Sequence, residues 1–158
     1  MIKNIIVLFV CTLLLNCSIE NPKEFSIEAL NDVFISLENE KVTFKNILAK
    51  NKGKKIVIDV WASWCGDCLR SLPDVKKLQE KNPDIVYVFL SLDKDIDSWK
   101  NGVERLKIEG EHYYMQSGWE GDFANFLNLN WIPRYLVIDN NGSIIVFNET
   151  KVTNMLID

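Results

Sequence analysis

The chain predicts an α/β domain with a mixed central β-sheet flanked by helices. Three observations carry that expectation. Residues 56–61 and 85–90 are apolar runs that are continuous rather than alternating, the pattern of strands buried on both faces. Stretches with apolar residues at helical spacing follow each run. Near the C-terminus, runs 135–138 and 144–147 bracket Asn141-Gly142, a strong hairpin-turn signal.

The elements follow in order. Residues 1–16 read as a signal peptide. Lys3 gives a basic start, and residues 5–15 are apolar apart from Thr12, too short a run to span a bilayer. The run ends at Leu14-Leu15-Asn16-Cys17. A cysteine directly behind such a run resembles a bacterial lipobox, although Asn16 stands where a small residue is usual; the resemblance implies lipidation at Cys17. Residues 17–32 then read as a polar, lipid-anchored tether containing Pro22, and residues 33–158 as the folded domain. Residues 34–37 and 42–44 flank Glu38-Asn39-Glu40-Lys41 and suggest an N-terminal β-hairpin. A short helix over 45–50 and a turn over 51–55 lead into the first buried strand.

From Cys68 to Lys81, Leu69, Leu72, Val75 and Leu78 mark one helical face, with Pro73 expected to kink the helix. After the second buried strand, residues 96–106 suit a helix with Trp99, Val103 and Leu106 on one side. A short strand at 113–115, a short helix at 122–127 and the closing hairpin complete the mixed sheet. Residues 152–158 allow at most two helical turns.

Composition narrows the function. With 18 basic and 22 acidic residues, and no Lys/Arg cluster, nucleic acid is not an expected partner. Cys11 leaves with the signal peptide and Cys17 carries lipid, so Cys65 and Cys68 remain. An exported protein whose only free pair is C-x-x-C is expected to use it for redox work. A zinc site needs two further ligands, and His112 is the one histidine in the chain. No metal and no external cofactor are expected. His112 fits packing or surface better than catalysis.

Cys65-Gly66-Asp67-Cys68 lies where a buried strand hands over to a helix. The first cysteine then sits at a helix N-terminus, where free N–H groups and the helix dipole favour its thiolate, the attacking species in disulfide exchange. Cys65 is expected to be the more exposed sulfur, and Cys68 the resolving thiol. Asp59 is a carboxyl group inside an apolar strand, so burial should raise its pKa. It stands ready to take the Cys68 proton.

Asp59-Val60-Trp61-Ala62-Ser63-Trp64-Cys65-Gly66-Asp67-Cys68 resembles the active-site strand and loop of thioredoxin-fold proteins, and Trp131-Ile132-Pro133-Arg134-Tyr135 resembles their cis-proline loop. With the N-terminal hairpin and an insert at about 94–130 before that loop, the chain is similar to membrane-anchored TlpA-like thiol–disulfide oxidoreductases. The resemblance implies a thioredoxin fold. It also implies Cys65 as nucleophile, Cys68 as resolving thiol, Asp59 as buried acid, Pro133 in cis, and Trp64, Gly66, Asp67 and the Ile132 backbone as substrate contacts.

Gly66-Asp67 departs from the Gly-Pro of thioredoxins. A carboxylate beside Cys65 should disfavour its thiolate and make the pair more reducing than a Gly-Pro version. The expected activity is reduction of disulfides in envelope proteins, with recharging by a membrane electron donor. A disulfide oxidase and a redox-idle binding domain stay open as alternatives. Copper delivery and peroxidase chemistry lack the needed histidine and the Pro/Thr lead, respectively.

Overall fold

Seven strands build one sheet in the computed structural model, which describes residues 20–153. They are β1 (Val33–Ser36), β2 (Lys41–Thr43), β3 (Ile56–Trp61), β4 (Val86–Ser91), β5 (Glu111–Met115), β6 (Arg134–Ile138) and β7 (Ile144–Glu149). The order across the sheet is β2-β1-β5-β4-β3-β6-β7. β3 runs parallel to β4 and β4 parallel to β5, whereas the β1–β2, β1–β5, β3–β6 and β6–β7 pairs are antiparallel. The sheet is therefore mixed, as expected. All six residues of β3 are buried, which matches its unbroken apolar run.

The helices are α1 (Ile27–Asn31), α2 (Phe44–Lys50), α3 (Gly66–Lys81), α4 (Ile96–Leu106) and α5 (Asp122–Phe126), with a 3-10 turn at Gly118–Glu120. α3 begins two residues before the expected start because Cys65 itself caps it: the Cys68 N–H donates to Cys65 Sγ at 3.1 Å. Cys68, Val75 and Leu78 are its buried residues, and Leu72 packs against the same core. Pro73 sits inside the helix, where it removes one backbone donor. α4 occupies the expected residues, capped by Asp95, which accepts from the Ser98 N–H at 2.7 Å.

The span read as a tether is folded in its second half. α1 is capped by Ser26, and Ala29 is fully buried. The Phe25 ring meets Phe44 at 4.8 Å and Phe126 at 5.3 Å. One partly buried aromatic ring packed on the core and one hydrogen-bonded helix cap fix this short polar stretch against the domain. The stretch 94–130, expected as an insert, supplies α4, α5 and a strand inside the sheet, β5. The segment read as a signal peptide, Cys17, and most of the expected C-terminal helix lie outside the described residues. Among the described residues, no helix is long and apolar enough to cross a membrane.

Candidate active site

β3 ends at Trp61, and α3 begins at Gly66, with four residues between them. This handover is held from below. Asp93, buried just past the end of β4, accepts the Ser63 N–H through both carboxylate oxygens at 3.1 Å and the Ser63 hydroxyl at 2.7 Å. Its second oxygen also accepts from the Ser91 hydroxyl at 2.8 Å. Three donors, one of them shared between both oxygens, satisfy this carboxylate inside the fold. α4 closes on the same loop: a Cβ at Gly102 would stand 2.5 Å from Ser63 Cβ, so only glycine lets the helix approach. Sequence reasoning missed Asp93, although an Asp-containing Ser-Leu-Asp at the end of a buried strand is a signal of such an anchor.

Cys65 and Cys68 form a disulfide with a Cα–Cα distance of 5.3 Å. Both residues are 5% exposed, so exposure does not separate them as expected. Position does. Cys65 lines a cleft of about 480 Å3, together with Trp64, Gly66, Asp67 and Ile132, the four residues expected to meet substrate. Its Sγ lies 3.6 Å from the Ile132 carbonyl oxygen. Cys68 lies one turn inside α3, within the core. The Ile132–Pro133 peptide is cis, as the resemblance implied. Pro133 itself lines a neighbouring groove with Ser71 and Asp74.

Asp59 sits at the middle of the sheet. Its Cα partners are Phe89 on β4 and Tyr135 on β6. It is buried, its Oδ1 has no hydrogen-bond partner among the described residues, and burial pushes its pKa up to about 8. Tyr135 is also buried. Its hydroxyl pairs with Ser71 Oγ at 2.9 Å, and burial holds its pKa well above the usual phenol value.

Asp67 does not act alone on Cys65, because it forms an ion pair with Arg70. That pair offsets part of the charge effect expected from Asp67. His112 is a core residue, stacked on Phe89 at 5.1 Å and bonded through Nε2 to the Ile108 carbonyl at 2.9 Å. Burial lowers its pKa. Among the described residues, no group of three or more His, Cys, Asp or Glu side chains is placed to hold a metal ion.

A C-x-x-C disulfide at a helix N-terminus, with one sulfur beside a cis-proline loop, is the arrangement of a dithiol redox centre. The chain belongs to the thioredoxin-like family, whose model matches residues 53–144. A Bacteroides vulgatus protein provisionally named a thiol–disulfide oxidoreductase has a solution structure similar to this one. The TM-score is 0.65 and the identity 36%, over 80% of this chain and 81% of that one. The thiol-disulfide oxidoreductase ResA of Bacillus cereus is 25% identical over 128 residues, which cover 80% of this chain and 70% of ResA. An H-type thioredoxin of Fagopyrum esculentum is 41% identical over 61 residues, 39% of this chain. The chain spans about half the length of that thioredoxin and 9% of the Arabidopsis thaliana protein Suppressor of quenching 1. With its C-x-x-C disulfide, the chain is a thiol–disulfide oxidoreductase whose redox centre is the cysteine pair itself.

Proposed function

We propose that the protein reduces disulfides in other proteins, with Cys65 attacking and Cys68 resolving. The observation that carries this reading is the placement of Cys65 alone of the two sulfurs in the cleft wall, as the cap of α3. In the dithiol state the Cys65 thiolate attacks one sulfur of a substrate disulfide. The substrate S–S bond breaks, a Cys65–substrate disulfide forms, and the departing thiolate takes a proton. Asp59 removes the Cys68 proton, and the Cys68 thiolate attacks Cys65 Sγ. The substrate leaves as a dithiol, two electrons richer, and the Cys65–Cys68 disulfide remains.

A carboxyl group with a pKa near 8 suits this transfer, because it lies close to that of the thiol it deprotonates. The helix N-terminus and the Cys68 N–H stabilise the Cys65 thiolate, both as attacker and as leaving group. Trp64, Gly66, Asp67 and the Ile132 backbone flank the approach, and Pro133 withholds a backbone donor beside it.

The reading extends to location. The apolar run at 5–15 followed by Cys17 supports export, cleavage before Cys17, lipidation there, and a place on the outer side of a membrane. Re-reduction then falls to a membrane electron donor.

Turnover of insulin disulfides, driven by dithiothreitol, tests the chemistry. Wild type is expected to turn over and Cys65→Ser to be inactive. Cys68→Ser is expected to accumulate a reductant-sensitive adduct on Cys65. An adduct on Cys68 in the Cys65→Ser variant, with none in Cys68→Ser, reverses the roles. An inert wild type makes the chain a redox-idle binding domain.

A further inference from the structure

The chain has five tryptophans, and their distribution is uneven. Trp61 and Trp99 are buried in the core, whereas Trp64, Trp119 and Trp131 are 52%, 38% and 58% exposed. All three exposed indoles border the cleft described above, which has Cys65 at its wall. Large aromatic side chains gathered in the open around a reactive group mark a contact surface.

Trp119 comes from the 3-10 turn between β5 and α5, and that turn is locked in place. Asp32, buried at the end of α1, accepts from the Ser117 hydroxyl at 2.7 Å and from the Phe123 N–H at 3.0 Å. These two bonds bracket Trp119 on both sides in sequence. Asp32 also accepts from the Val33 N–H at 2.8 Å. At Gly121 a Cβ would lie 2.5 Å from Ser117 Cβ and 2.8 Å from Asp32 Oδ2, so the turn packs against the carboxylate with no room to spare. The folded end of the span read as a tether thus fixes one wall of the cleft.

The charged groups lining this cleft are paired with each other, and one amide oxygen is engaged. Asp67 pairs with Arg70, and Asn130 Oδ1 accepts from Arg134 at 2.9 Å. What the cleft offers an incoming chain is indole surface beside a sulfur. At about 480 Å3 it takes one or two side chains of an extended segment, not a folded domain.

We propose that Trp119, with Trp131, is a specificity-determining wall for protein substrates whose reactive cysteine is flanked by a bulky apolar side chain, and that Asp32 is its positioning residue. The inference rests on the disulfide-reducing role given above. It names which cysteines that role selects.

Two disulfide-linked peptides, identical except for Leu or Ser beside the cysteine, test it with the full chain and dithiothreitol as donor. Wild type is expected to show a kcat/KM about tenfold higher on the Leu peptide, carried by KM. Trp119→Ala is expected to collapse that preference and Trp119→Phe to keep most of it. Asp32→Asn is expected to weaken it while the Cys65–Cys68 reduction potential stays at the wild-type value. A wild type without preference, or a preference that survives Trp119→Ala, overturns the proposal; since Trp119 is exposed, that variant folds and decides the matter alone. If neither peptide is reduced by wild type, the reducing role fails and takes this inference with it.

Discussion

In front of the disulfide lies an open cleft walled by three indoles; the strand that leads into it forms the back, where Asp59 is buried with one oxygen unpaired among the described residues. The two regions solve opposite problems. The front must attract another chain, so it leaves apolar surface in water and neutralises its charges in place. In the proposed cycle the back moves a proton, and there a carboxyl group is kept out of water with its pKa raised. Equal exposure of Cys65 and Cys68 means that burial alone does not tell the two sulfurs apart; their surroundings do.

The largest expected effect tests the back. Asp59→Asn leaves a side chain that accepts no proton, so the Cys68 attack is predicted to slow by about 100-fold. Quenched-flow capture should show the Cys65 mixed disulfide accumulating while its formation changes little. A resolution rate equal to wild type breaks the contrast between front and back.

The same substitution is expected to act on stability. The Asp59 carboxyl moves from 3.8 up to about 8 on folding, so between those values the folded protein holds a proton that the unfolded chain has lost. Its contribution is fully present below about pH 3.8 and is lost as pH rises through about 8. Asp59→Asn is therefore predicted to exceed wild type at pH 9 by about 2–4 kcal/mol, with the gap narrowing toward pH 5. Urea melts at the two pH values check this, and a gap independent of pH contradicts it.

Asp93→Ala sharpens the comparison from the side of the loop. It strips the Ser63 and Ser91 donors of their acceptor and is expected to cost about 2–3 kcal/mol. Loosening the handover should also change the rate at which a maleimide labels reduced Cys65; loss of stability with unchanged labelling would make Asp93 a brace for the fold and not for the site. The smallest effect belongs to Arg70→Ala. Freed of its partner, the Asp67 charge weighs more on the Cys65 thiolate, and the reduction potential should fall by about 10 mV. A rise would contradict the expected influence of Asp67.

Much of this was legible in the residues. Two continuous apolar runs became β3 and β4, residues 96–106 became α4, and Asn141-Gly142 turned the last hairpin. Cys65, Cys68, Asp59 and Pro133 were visible because each stands in a pattern that few other structures share. What escaped depends on contacts between distant segments. Phe25 and Asp32 lie in a stretch whose composition is that of a linker, and only their partners Phe44, Phe126, Ser117 and Phe123 make them structural. Trp119 has no local signature, since its meaning comes from the cleft that it reaches. Arg70 was readable in principle, three residues beyond Asp67 on one helix face.

The most direct test of the central claim is the reduction potential of the Cys65–Cys68 couple, measured by equilibration with glutathione. The account predicts a value near or below roughly −230 mV, in the range of proteins that give electrons to disulfides. A value near roughly −120 mV would contradict it and make the protein a donor of disulfides.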